Sequence, residues 1–103
     1  IGKDNAVSVE NEITTPLAFS LEQNYPNPFN PSTTISWQSP VYSLQTIKVF
    51  DVLGTEVATL VNEFRNAGNY EVNFNASNIP SGVYFYRLQV GNIIETKKMI
   101  LMK

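Results

Sequence analysis

A two-residue period constrains this chain more than any other feature. In Asn69–Ala76 the apolar residues Tyr70, Val72, Phe74 and Ala76 alternate with Glu71, Asn73 and Asn75. Successive side chains of an extended strand point to opposite faces, so such a run has one core face and one wet face. Thr33–Gln38 repeats the pattern with Ile35 and Trp37 inward, and Gln45–Asp51 with Ile47 and Val49 inward. Gly82–Val90 sets Tyr84, Tyr86, Leu88 and Val90 against Val83, Phe85, Arg87 and Gln89. Apolar residues occupy much of both of its faces, as expected of a central strand.

The segments between these runs carry turn chemistry. Gly91-Asn92 separates Val90 from Ile93 by two residues, the length of a tight hairpin with positive φ. Asp51-Val-Leu-Gly54 has Asp first and Gly fourth, and Ile79-Pro-Ser-Gly82 has Pro where φ must be preset. Pro26-Asn-Pro-Phe-Asn-Pro31 is excluded from helices and central strands, because its prolines lack donors and restrict their predecessors. It is expected to form an ordered loop or a crossing between sheets.

Seven strands follow: Phe19–Gln23, Thr33–Gln38, Gln45–Asp51, Glu56–Val61, Asn69–Ala76, Gly82–Val90 and Ile93–Leu101. Short strands at this spacing predict an all-β, Ig-like antiparallel sandwich. The sequence has no cysteine, so the sandwich has no disulfide, and Trp37 is expected to fill part of the space a disulfide would staple. Residues 1–16 are polar, have no sustained period and end in Thr-Thr-Pro. They read as a linker from a preceding domain, with the sandwich at 17–103. The first residue is Ile, and neither a basic start nor an apolar signal stretch follows it. The expectation is a piece of a longer chain.

Composition narrows the chemistry. Histidine is absent along with cysteine, which removes imidazole bases, thiolate nucleophiles and the usual zinc, copper and haem ligands. No cofactor is expected. The aspartates are Asp4, in the linker, and Asp51, in a turn, while the glutamates are scattered and fit no catalytic motif. The formal net charge is -2, and arginine is limited to Arg65 and Arg87, so a nucleic-acid partner is not expected. No run approaches the roughly 18 apolar residues of a membrane helix, so no membrane insertion is expected.

Several stretches, taken in order, carry a family resemblance. They are Leu21-Glu-Gln-Asn-Tyr-Pro-Asn-Pro-Phe-Asn-Pro-Ser-Thr-Thr-Ile35, Val49-Phe-Asp-Val-Leu-Gly54, Glu56–Asn62, Ala67-Gly-Asn-Tyr70, Ile79-Pro-Ser-Gly-Val-Tyr-Phe-Tyr-Arg-Leu88 and Thr96-Lys-Lys-Met-Ile-Leu101. Together they resemble the type A C-terminal sorting domain of the type IX (Por) secretion system, over about Leu21 to Lys103. The resemblance implies an Ig-like sandwich closing a larger secreted protein of the Bacteroidetes group. It implies passage through the periplasm, recognition by an outer-membrane translocon, and removal by a sortase-like peptidase. The covalently linked N-terminal cargo domain then reaches the cell surface or the medium. One departure is Gln45, where the family often carries an aliphatic residue, and this questions the start of the third strand.

Pro26, Asn27 and Pro28 match the family's Pro-Asn-Pro motif and also suit a shaped loop. Gly82 and Tyr84 match its Gly-x-Tyr motif, and a turn glycine with a core tyrosine explains them equally. Lys97, Lys98, Met99, Ile100, Leu101, Met102 and Lys103 match the basic and apolar end that the family uses as its signal. The plain alternative is an ordinary last strand kept soluble by lysines. Such a strand, tethered at one end, is expected to fray or pass to a partner's sheet while the sandwich stays folded.

Two other functions compete. A carbohydrate-binding module of a secreted hydrolase would stack sugars on exposed aromatics such as Phe50, Phe85, Tyr42 and Phe64. A passive spacer would need no site at all. Asn75-Ala-Ser77 fits a glycosylation sequon, which in a bacterial chain reads as chance.

Overall fold

The computed structural model describes residues 17–103, so the expected linker at 1–16, with Asp4, lies outside the described residues. The described residues form seven strands: β1 (Ser20–Leu21), β2 (Ser32–Ser39), β3 (Ser43–Phe50), β4 (Glu56–Arg65), β5 (Gly68–Asn75), β6 (Gly82–Val90) and β7 (Ile93–Leu101). They build a three-stranded sheet in the order β1-β2-β5 and a four-stranded sheet in the order β4-β3-β6-β7. Each of these strand pairings is antiparallel. This is the expected all-β sandwich, with β6 central. In the constant-type immunoglobulin arrangement the fourth strand pairs with the fifth. Here β4 has crossed to the other sheet and pairs with β3.

Two strands differ from the sequence reading. The run expected at Phe19–Gln23 shrinks to Ser20–Leu21. Isolated bonds replace it: Glu22 N–H donates to the Ser36 carbonyl (2.9 Å), and Tyr25 and Thr34 exchange a pair (3.0 and 2.9 Å). The fourth strand continues past Val61 to Arg65 and carries Phe64, expected in a loop, opposite Leu44. Its register skips Val57 and Leu60 opposite β3. Each such bulge resets which face a side chain takes, so the two-residue period cannot trace the strand.

Two of the three expected turns form, while the one expected at Ile79–Gly82 is displaced to Ala76–Ile79, where the Ile79 N–H donates to the Ala76 carbonyl at 3.3 Å. Gly91, at φ 59°, closes a two-residue hairpin in which Val90 faces Ile93. At the other end of the sandwich, Gly54 (φ 85°) donates to the Asp51 carbonyl at 3.0 Å. The Asp51 carboxylate accepts the N–H groups of Leu53 and Thr55, each at 2.9 Å, so the side chain is used within its own turn.

Alternation delivers Ile35, Trp37 and Phe74 from one sheet, and Ile47, Val49, Tyr86, Leu88, Met99 and Leu101 from the other, into a single core. Trp37 is 2% exposed, stacks on Tyr70 at 5.8 Å, and donates its indole N–H to Gln45 Oε1 at 2.9 Å. That acceptor accounts for the departure at position 45, because an aliphatic side chain would leave the buried indole N–H unpaired. The cost is the Gln45 Nε2 group, buried without a partner among the described residues, a penalty of about 1–3 kcal/mol. The strand questioned at Gln45 starts two residues earlier, at Ser43.

Candidate functional site

A loop rich in proline has carbonyls but few donors, so side chains must supply much of its order. The peptide bonds before Pro26, Pro28 and Pro31 are cis. Asn24, 2% exposed, donates its amide to the Pro26 carbonyl (3.1 Å) and to Thr33 Oγ1 (2.9 Å). The Thr33 hydroxyl donates to the same carbonyl at 2.8 Å. The backbone N–H of Asn24 donates to the Tyr86 hydroxyl (2.8 Å), which in turn donates to the Glu22 carbonyl (2.6 Å). Tyr86 thus ties the loop to the centre of the four-stranded sheet, and burial pushes its hydroxyl pKa up to about 12.

Held in this way, the loop lies along the free edge of the last strand. Asn27 Oδ1 accepts the Ile100 N–H at 2.9 Å, although 73 residues separate the two. Phe29 N–H donates to the Ile100 carbonyl (2.9 Å), and Met102 N–H donates to the Phe29 carbonyl (3.0 Å). Gln23 Nε2 donates to the Lys98 carbonyl at 2.8 Å. The Phe29 side chain is buried beside Phe74, with ring centroids 6.2 Å apart.

The other edge of the strand meets the Gly-x-Tyr residues. Gly82 pairs with Leu101 and Tyr84 with Met99. A side chain at Gly82 would meet no described atom within 4 Å, so it is the φ of 153° that calls for glycine. Tyr84 is buried and donates its hydroxyl to the Pro80 carbonyl (2.6 Å), bracing the turn into β6. The turn also holds the last residue: Lys103 N–H donates to Ser81 Oγ (3.1 Å), and its ammonium donates to the carbonyls of Ser77 (2.7 Å) and Ile79 (2.6 Å).

The structure therefore brings Pro26–Pro28, Gly82, Tyr84 and Lys97–Lys103 into one unit, where the sequence shows three separate motifs. The expectation of a freely fraying tail is corrected. Met99 and Leu101 are core residues, and β7 from Lys98 onward is held on both edges. Of the lysines, Lys98 is exposed, Lys97 is half-buried and Lys103 is an anchor. Sequence reasoning missed Gln23, Asn24, Thr33 and Tyr86. The available signal was the set of polar residues flanking a segment whose prolines cannot supply donors.

Three of the four candidate aromatics have an aromatic or cationic neighbour, although Tyr42 and Phe64 stay 65% and 62% exposed. The Arg87 guanidinium lies 4.4 Å from the Phe50 ring centre, and Tyr42 stacks on Phe64 at 5.8 Å. At the sequon, Asn75 Oδ1 accepts the Ser77 N–H at 2.9 Å in a local turn.

Replacing Asn27 with Ala should test the clamp. The expected loss is about 0.5–1.5 kcal/mol, since water can reach the freed Ile100 N–H. Thermal melts followed by circular dichroism should show a midpoint lowered by several degrees, and an unchanged midpoint would make this bond energetically idle.

Fold and site together define a β-sandwich module organised around its own last strand. Comparison with protein families finds the secretion system C-terminal sorting domain over residues 23–102. The chain belongs to that family and carries a C-terminal sorting signal for type IX secretion. No curated relative and no solved structure matches it.

Proposed function

We propose that the type IX machinery reads the folded unit made by the Pro26–Phe29 loop, the Gly82–Tyr84 segment and Lys97–Lys103. The reader is an outer-membrane translocon, and a sortase-like peptidase then detaches the domain. Cargo joined through residues 1–16 passes the periplasm and ends at the cell surface or outside. The role is non-catalytic. The observation that supports this reading most is the bond from Ile100 N–H to Asn27 Oδ1, which couples the Pro-Asn-Pro motif to the last strand. Exposed Lys98 and half-exposed Ile100 share the solvent side of that strand, within reach of a receptor.

The test is export of a fluorescent reporter that carries an inner-membrane signal peptide and is fused to the 103-residue chain, in a host with a type IX system. The fusion is expected in the medium or on the surface, and the reporter without the chain in the periplasm. A folded fusion that stays in the periplasm would refute autonomous sorting.

A further inference from the structure

Among the described strands β7 is an edge strand that pairs with β6, and on its other side only its last residue, Leu101, is bridged, by Phe29. In an antiparallel ladder alternate residues turn both backbone groups away from the partner. Ile100 does so, since its N–H and carbonyl go to Asn27 and Phe29. By the same alternation the backbone groups of Ile94, Thr96 and Lys98 also turn outward. The loop satisfies the Lys98 carbonyl through Gln23, and β1, just before it, lies close to β7 without a backbone bond to it. Among the described residues no backbone partner faces Ile94 or Thr96.

The other long edges are blunted. β4 carries two register breaks along its length, and β5 exposes Asn69, Glu71, Asn73 and Asn75. Bulges and polar side chains are the usual protections of an edge. The first half of β7 has no bulge: its register against β6 is unbroken, Ile93 and Ile94 are 37% and 55% exposed, and its only guards are the side chains of Glu95, Thr96, Lys97 and Lys98, whose charges deter a like strand and attract a complementary one. A regular, partly apolar edge whose second half is already occupied by the Phe29 segment is built to accept another strand beside it.

The geometry points to Ile93–Lys98 as the docking edge for an extended strand of the sorting machinery, added to the four-stranded sheet next to the chain's own Gln23–Phe29 segment. This rests on the sorting function proposed above and names its contact surface. Ile94, Thr96 and Lys98 share one face of the edge, with Arg87 opposite Thr96 on β6. Glu95 and Lys97 share the other face and offset each other in charge. The strand that fits therefore places an apolar residue beside Ile94 and an acidic one beside Lys98.

Thr96→Pro separates this edge from the fold. The Thr96 N–H points away from β6, so its removal breaks no internal bond, while the ring blocks an incoming strand. In the reporter fusion, secretion is expected to fall roughly tenfold with Thr96→Pro, and also with Ile94→Lys, while the melting midpoint stays near that of the parent. Asn73→Lys, on the β5 edge, is expected to export normally. If Thr96→Pro fails to fold, Ile94→Lys decides alone. Normal export of a folded edge variant, or equal loss with Asn73→Lys, would overturn the docking edge while leaving the sorting function standing. Retention of the unmodified fusion would overturn the sorting function and this edge with it.

Discussion

A chain lacking Lys97–Lys103 is expected to be unfolded at room temperature. The deletion removes Met99 and Leu101, both 1% exposed or less and both in the core. Truncating a buried Leu or Met to Ala costs about 2–5 kcal/mol, so these two side chains alone account for roughly 4–10 kcal/mol. It also removes the β7 partners of Gly82–Tyr86 and all the bonds that the 23–29 loop makes to β7. Set against a typical domain stability of about 5–15 kcal/mol, little is left. Circular dichroism should show loss of the cooperative melt; a truncated chain that retains it would mean that the sandwich closes without its last strand. Loss of export by such a deletion thus reports folding as much as signalling. Substitutions at exposed Lys98 are the cleaner probe of recognition.

Tyr86→Phe is expected to have the second largest effect, one that varies with pH. At neutral pH the substitution leaves the Glu22 carbonyl without a donor and the Asn24 N–H without an acceptor in a buried place, a loss of about 1–3 kcal/mol. The parent has a further property. Its Tyr86 hydroxyl, on a fully buried side chain, has its pKa pushed up to about 12 by burial, whereas tyrosine in an unfolded chain titrates near 10. The folded state therefore holds this proton more tightly than the unfolded state. The contribution is complete below pH 10 and is lost as pH rises towards 12, by about 2–3 kcal/mol. Phenylalanine cannot titrate, so the difference in urea midpoint between parent and variant should narrow from pH 9 to pH 11.5. A constant difference would show that the hydroxyl is ionised equally easily in both states.

Much of the sandwich is legible in the sequence because alternation is a local signal. β6 and β7 are bounded to the residue, since glycine-containing turns fix where each begins or ends. β4 is not, because its bulges at Val57 and Leu60 erase the period that sequence reading depends on. The site is legible only in pieces. Pro26–Pro28, Gly82, Tyr84 and the terminal lysines are visible as motifs, but nothing local signals that Asn27 bonds Ile100. That contact depends on where the sheets bring distant segments together. Trp37 is a core residue on its pattern alone, whereas Gln45 makes sense only once the indole is seen to need an acceptor across the sandwich.

The Asn27–Ile100 bond spans nearly the whole sandwich, so it exists only in a chain that has been synthesised through Ile100 and has folded. A short peptide copying Lys97–Lys103 lacks the loop beside that segment, and a chain that stops before Ile100 has the loop without its strand. On the reading proposed above, a receptor that grips both sides of this seam would select finished cargo over fragments.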